Sequence, residues 1–235
     1  MARRTETHKT LEVAGRSVPL MIVRHPRARH MSLRLEGAGA GVRLTLPRRA
    51  SLREGLAFAE SKTEWLGREL AAQPARVPLE VGAVVPVLGR DHIIRHAPWA
   101  RRGVWREHGI IWASGLAGHA PRRVQDFLKR EARTEIAARA RAKAGPIERQ
   151  VRRIAIRDMT SRWGSCGSDG NLSFSWRLVL APEDVLDYVV AHEVAHLRYM
   201  SHGPRFWALT TRLTADIAGA TRWLKDHGDK LLAYG

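Results

Sequence analysis

The sequence predicts an α+β fold in two parts. A small β-rich N-terminal module with one helix is expected over residues 1–115. A mainly helical C-terminal domain over residues 116–235 is expected to hold a short antiparallel sheet and a helix carrying His-Glu-x-x-His. Three observations lead there. Short runs with period-two alternation fill most of the first half. A long Arg-, Ala- and Glu-rich helical pattern opens the second half. Gly- and Pro-bearing segments separate the periodic runs, and SGLAGHAP at 114–121 is the best linker between the halves.

In chain order, LEVAGRSVPLMIVRH, HMSLRLEG and GVRLTLP between residues 11 and 47 read as strands, with GAGAG at 37–41 as a hairpin turn. Ser51 is placed to cap a helix from about Leu52 to Ala72, with Glu54 three residues on completing a capping box. Leu56, Phe58, Ala59, Trp65, Leu66 and Leu70 form its apolar stripe, and Pro74 ends it. Residues 78–113 return to strands. A helix from Pro121 to Ala144 follows, burying Val124, Phe127, Leu128, Ala132 and Ile136, and Gly145–Pro146 stop it. VRRIAIRDM at 151–159 reads as a strand and LSFSWRLVL at 172–180 as one or two more, with GSDGN at 167–171 the turn between them. Pro182 opens the next helix. Helices at about 204–218 and 220–232 close the chain. No internal repeat or low-complexity tract is evident.

Composition narrows the function classes. No run approaches 18 uncharged apolar residues, and MARRTETHKT is not followed by an apolar stretch, so neither a membrane span nor a secretory signal is expected. Cys166 is the single cysteine, which excludes an intramolecular disulfide and fits a reducing, cytoplasmic setting. Lys plus Arg number 40 against 23 Asp plus Glu, a net charge of +17. That excess suits polyanionic partners such as nucleic acid, but Arg is spread along the chain and no recognised binding motif accompanies it.

The chemistry concentrates in HEVAHLRYMSH at 192–202. On a helix, a step of four leaves His192 and His196 within about 40° of each other, one turn apart. Two imidazoles on one face suit a tetrahedral zinc ion, and Glu193 between them is placed to act on water as general base. His202 lies six residues beyond His196, a helical turn of about 600°, so it can join only if the helix stops first. Ser201, Gly203 and Pro204 are read as that stop. The flank DVLDYVVAHEVAHL is strongly apolar, so three ionisable groups there cost several kcal/mol unless something such as a metal compensates them.

A second dense segment, MTSRWGSCGSDGNLSFSWRLVLAP, precedes the motif. Gly164 and Gly167 permit turns or close backbone approach. A strand ending beside the metal helix can offer backbone groups to an extended substrate. RWGSC, then GN, SWRLVLAP, HEVAH, and SH before FW together resemble the YgjP-type metal-dependent hydrolases, which are related to the SprT-like (Wss/Spartan-like) zincin domains. RHPRARHMSLRL, GVRLTLP, KTEWL and VLGRDH extend the resemblance over nearly the whole chain. It implies a zincin-like catalytic domain, His192, His196 and His202 as zinc ligands, and Glu193 as the catalytic carboxylate. The spacing also fits metzincins, but these carry Gly three residues after the second His, where this chain has Tyr199, and no Met-turn follows.

The expected activity is a zinc-dependent metallopeptidase acting on a peptide or protein substrate. The alternatives are a metal-dependent nucleotide phosphohydrolase of pyrophosphatase type, with arginines on phosphate, and a nucleic-acid module with structural zinc. Glu193 argues against the last, since structural zinc needs no general base. Phosphoryl chemistry more often uses carboxylate-rich Mg²⁺ sites. SprT-like relatives are proteases, some acting on DNA-bound proteins, but one Cys cannot build their additional zinc finger. Tyr199 and Arg162 are candidates for stabilising the transition state, ahead of Arg198 and Arg205. Cys166 is read as a small packed residue rather than a fourth ligand, and Trp163, Trp176, Phe206 and Trp207 as core around the site. The other histidines (8, 25, 30, 92, 96, 108, 119 and 227) lack ligand spacing.

Overall fold

The computed structural model describes residues 6–36, 41–72 and 74–235. The expected GAGAG turn lies outside the described residues except for Gly41. The chain divides into two compact units, residues 1–75 and 76–235, so the expected boundary at 115/116 falls inside the second unit. The reason is packing: strands of the 84–113 region share one apolar core with the long helix that follows them.

In the first unit, β1 (Glu6–Val13), β2 (Arg16–Arg24), β3 (Ser32–Glu36) and β4 (Gly41–Leu46) form a sheet in the order β1-β2-β4-β3. β1 and β2 are antiparallel, β2 and β4 parallel, and β3 and β4 antiparallel. The single helix expected at 52–72 is two: α1 (Leu52–Glu60) and α2 (Thr63–Ala72). The Ser51–Glu54 capping box is formed as read. The break comes where hydroxyls compete for backbone carbonyls, Ser61 Oγ donating to Phe58 O at 2.8 Å and Thr63 Oγ1 to Glu60 O at 2.9 Å. α1 lies close on the sheet at Gly55, where an added Cβ would meet Leu46 Cδ2 at 2.6 Å. Ala59 and Leu66 are buried, but Trp65, expected in the stripe, is exposed.

The second unit opens with β5 (Val84–Val87), β6 (Arg90–His96), β7 (Val104–Glu107) and β8 (Ile110–Ala113), in the order β5-β6-β8-β7. Its pairings are antiparallel, parallel, antiparallel, the same pattern as the first sheet. A repeat therefore exists in topology, though not in sequence. In both sheets hairpins close through two left-handed residues: Ala14–Gly15, Leu88–Gly89 and His108–Gly109 all have positive φ. Such turns match the right-handed twist of the flanking strands.

α3 (Ala120–Ala144) buries Val124, Phe127, Leu128, Ala132 and Ile136 as expected. Next come β9 (Arg153–Arg157), β10 (Gly164–Cys166) and β11 (Asn171–Ser175). This sheet is mixed rather than antiparallel: β10 pairs antiparallel with β11, but β9 runs parallel to β11 because the chain crosses back before the hairpin. The apolar run 176–180 is a 3₁₀ segment, not a strand. Every residue in it is buried, Arg177 included, and so short a buried run carries no period by which strand and helix can be told apart. α4 (Glu183–His196), α5 (Pro204–Leu213) and α6 (Ile217–Leu232) complete the unit. The boundary between the last two falls earlier than expected because Asp216 caps α6, accepting from Gly219 N at 2.8 Å. Among the described residues, no helix is long and apolar enough to cross a membrane.

Candidate metal centre

α4 is buried along most of its length, with Val185, Leu186, Val190, Val194 and Ala195 in the core. Glu183 and Asp184 in its first turn complement the helix dipole. Its register is held by Asp187, which takes Lys143 Nζ of α3 at 2.7 Å and Thr214 Oγ1 at 2.8 Å. His192, Glu193 and His196 stand on its last turns.

The helix ends at His196, five residues before the stop expected at Ser201. Leu197 N–H turns back to Val194 O, and Arg198 and Tyr199 N–H both reach Ala195 O. Gly203 has φ −77° and extended ψ, and serves as the N-cap of α5 with Pro204 in its first turn. The seven-residue loop between the helices folds His202 back over α4.

The result is a triangle of imidazoles. Ring centroids are 5.0 Å apart for His192–His196, 5.0 Å for His192–His202 and 4.8 Å for His196–His202. One ring nitrogen from each lies within 4.8 Å of the others. The Nε2 atoms of His192 and His202 are 3.1 Å apart. Phe206, fully buried on α5, stands beneath all three, its ring 4.9, 4.6 and 4.7 Å from His192, His196 and His202. Trp207 flanks His192 and His202, with rings 6.0 and 5.8 Å away, but is 40% exposed rather than core. Trp176 is buried and Trp163 half-buried, as expected for core residues.

The electrostatics favour neutral imidazoles. Burial, then its two neighbouring histidines, push His192 down to about 4. Burial also lowers His196, whose Nδ1 sits 3.0 Å from Tyr199 O. That carbonyl accepts a hydrogen bond from Nδ1–H and leaves Nε2 with its lone pair free, the usual orienting contact of a ligating His. His192 Nδ1 is buried without a partner. Three convergent imidazole nitrogens on an apolar floor fit a zinc-type ion with an open position. Among the described residues, this is the one group of three His, Cys or carboxylates close enough to hold a metal.

Glu193 is 7% exposed, and burial raises its carboxyl to about 7, partly offset by Arg162. It faces β10: a Cβ on Gly164 would meet Glu193 Cγ at 2.6 Å and Oε1 at 2.7 Å. Only glycine lets the strand approach the carboxylate so closely. The sequence offered Gly164 as a site of close approach without naming what approaches.

The remaining candidates fall unevenly. Arg162 is exposed and near enough to act electrostatically on Glu193. Tyr199 contributes its carbonyl to His196, while its ring packs on the core beneath the Arg198 guanidinium, 6.0 Å away. Arg205 lies with Arg198 and Tyr199 along a separate recess near Ile147. Cys166 is half-buried on β10 and its thiol is pushed up to about 11, chiefly by burial and then by Glu193, so it holds its proton at neutral pH. It stands outside the histidine cluster. His92 and His96 bond to the carbonyls of Arg90 and Gly115, and His227 stacks on Trp223.

Comparison with known proteins agrees with this geometry. The family model described as YgjP-like, metallopeptidase domain, matches residues 29–227, which include the histidine cluster, Glu193 and β10. No curated protein and no solved structure gives a significant match. A match over most of the chain shows its family: the chain belongs to the YgjP-like metallopeptidase-domain family.

Proposed function

We propose that this chain is a zinc-dependent peptidase in which His192, His196 and His202 hold the metal and Glu193 is the general base. The observation that carries this reading is the pairing of three convergent imidazoles with a buried carboxylate on the adjacent helix position. Bound zinc supplies Lewis acidity, acidifying water and polarising a carbonyl oxygen.

Glu193 Oε accepts the proton of the attacking water and delivers it to the leaving amine. Its raised pKa suits both transfers, since a carboxyl titrating near 7 gives up a proton as readily as it takes one. A divalent cation nearby favours the ionised form that must act first. Tyr199 O fixes the His196 ring. Arg162, exposed and acting electrostatically on Glu193, would supply positive charge for a developing oxyanion.

β10 supports a peptide as substrate. Among the described residues it is an edge strand, with β11 on one side and a free edge on the other, and its Gly164 lies against Glu193. An extended peptide can add to such an edge as a further strand. A phosphohydrolase reading has less support, because the cluster contains no carboxylate ligand.

The test uses zinc-loaded protein on unfolded protein, with and without DNA, and in parallel on nucleoside triphosphates. Wild type is expected to cleave the polypeptide. The E193Q variant is expected to keep its zinc and lose cleavage. Cleavage of nucleotides alone, or full activity in metal-replete E193Q, would overturn the assignment.

A further inference from the structure

A second feature of the 76–235 unit is untouched by hydrolysis. The β5-β6-β8-β7 sheet has one face in the core, where Val85, Ile94, Ile111 and Ala113 are fully buried. On the opposite face the register lines up Arg95 of β6, Trp112 of β8 and Trp105 of β7 as direct neighbours. Trp105 and Trp112 are stacked, with centroids 6.2 Å apart and planes 21° from parallel. Trp99, from the loop between β6 and β7, meets Trp112 edge-on at 6.4 Å and is 74% exposed. The Arg102 guanidinium lies over Trp105, 5.5 Å from the ring centroid.

Packing does not account for this arrangement. A tryptophan three-quarters exposed covers little, and leaving so large a ring in water forgoes the free energy its burial would bring. The charge around it is one-sided. From His92 to His108 the chain carries four arginines, Arg95, Arg101, Arg102 and Arg106, and one carboxylate, Glu107. Arg106 is committed to Glu131 of α3 at 3.5 Å, and Glu107 is next to His108 at 3.7 Å. Among the described residues, Arg95, Arg101 and Arg102 make no ion pair.

We propose that this face binds single-stranded nucleic acid, bases stacking on Trp99 and the Trp105–Trp112 pair and phosphates on Arg95, Arg101 and Arg102. Stacking aromatics flanked by cations are the means by which proteins hold unpaired strands with little sequence preference. A duplex hides its base faces, so the tryptophans select against it. The net charge of +17 draws the same polyanion from solution. The site is distinct from the histidine cluster and stands or falls independently of the peptidase reading.

The test is fluorescence anisotropy of a labelled oligothymidylate 15-mer and of a blunt duplex of equal length, titrated with the full chain over a range of salt. The single strand is expected to bind more tightly. W99A removes an exposed ring, and circular dichroism checks that its fold is kept. It is expected to weaken single-strand binding by about fivefold to 150-fold, the range one base stack covers, and to leave the salt dependence unchanged. The R101A/R102A double variant is expected to reduce the slope of log affinity against log salt by about 1.4, two single-strand phosphate contacts. Equal affinity for duplex and single strand, or W99A binding like wild type, overturns the proposal. So does Trp99-dependent binding to anionic vesicles or to an oligosaccharide in the absence of single-strand binding.

Discussion

The Cα of Gly164 faces the carboxyl of Glu193 so closely that a single methyl group at that position would lie 2.6 Å from Cγ and 2.7 Å from Oε1. Both atoms are far inside van der Waals contact, so an alanine there must move the carboxylate or the strand. The strand cannot move freely, because Gly164–Cys166 is laddered to β11.

G164A is therefore expected to retain metal and lose turnover. A displacement near 1 Å at the reacting groups costs on the order of 100-fold in rate. The check is metal content by atomic emission beside kcat on a peptide substrate. Unchanged kcat in a metal-replete variant would refute the positioning role of Gly164.

Glu193 also sets a pH dependence in the metal-free protein. Burial raises its folded pKa to about 7 from the ordinary carboxylate value near 4.5. Between those values the native state holds a proton that the unfolded state has lost. The stabilisation is thus full below about pH 4.5 and is lost as pH rises through 7, roughly 3 kcal/mol in all. His192, lowered to about 4, works in the opposite direction over an overlapping window, but it is common to wild type and E193Q. The stability of E193Q relative to wild type is therefore expected to grow by roughly 3 kcal/mol from pH 4 to 7.5. Urea melts of the chelator-treated proteins measure it, and a difference flat across pH would contradict the buried carboxylate.

His202 and Phe206 hold the cluster by different means. H202A removes a donor and is expected to weaken zinc binding by more than the 10- to 100-fold that loss of an orienting group costs. F206L keeps an apolar floor but no longer supports all three rings. It is expected to fall within that 10- to 100-fold range, with a stability cost of about 1 kcal/mol. Competition against a chromophoric chelator reports both. Wild-type affinity in H202A would remove His202 from the ligand set.

Asp187 ties α4 to α3 and to the end of α5 through Lys143 and Thr214. The Lys143 side chain is 14% exposed, so D187A leaves a largely buried ammonium with the Leu213 carbonyl but no carboxylate. The expected loss is about 2 kcal/mol, and the K143M/D187L pair should recover part of it, because two apolar groups leave no unpaired charge. Denaturant midpoints of the three proteins decide the matter; equal midpoints for D187A and wild type would show the network to be decorative.

Much of this protein was determined by local sequence. His192 and His196 share a helix face because a spacing of four on 3.6 residues per turn leaves no other arrangement, and Glu193 points to the neighbouring direction. The capping box at Ser51 and the buried stripe of α3 follow from side chains within a few residues of one another. The family resemblance carried by RWGSC and HEVAH is matched over residues 29–227. What depends on distant segments was not legible. The unit boundary at Ala75/Arg76 reflects which residues share a core, and β9 lies parallel to β11 through a crossover that no alternation pattern encodes. The seat of Phe206 under three imidazoles, the meeting of Gly164 with Glu193, and the Trp105–Trp112 stack join residues from separate elements. Local periodicity fixes which face of an element is apolar. Only the close packing of elements decides which atom fills the space opposite, and at this site that decides where the carboxylate and the third histidine stand.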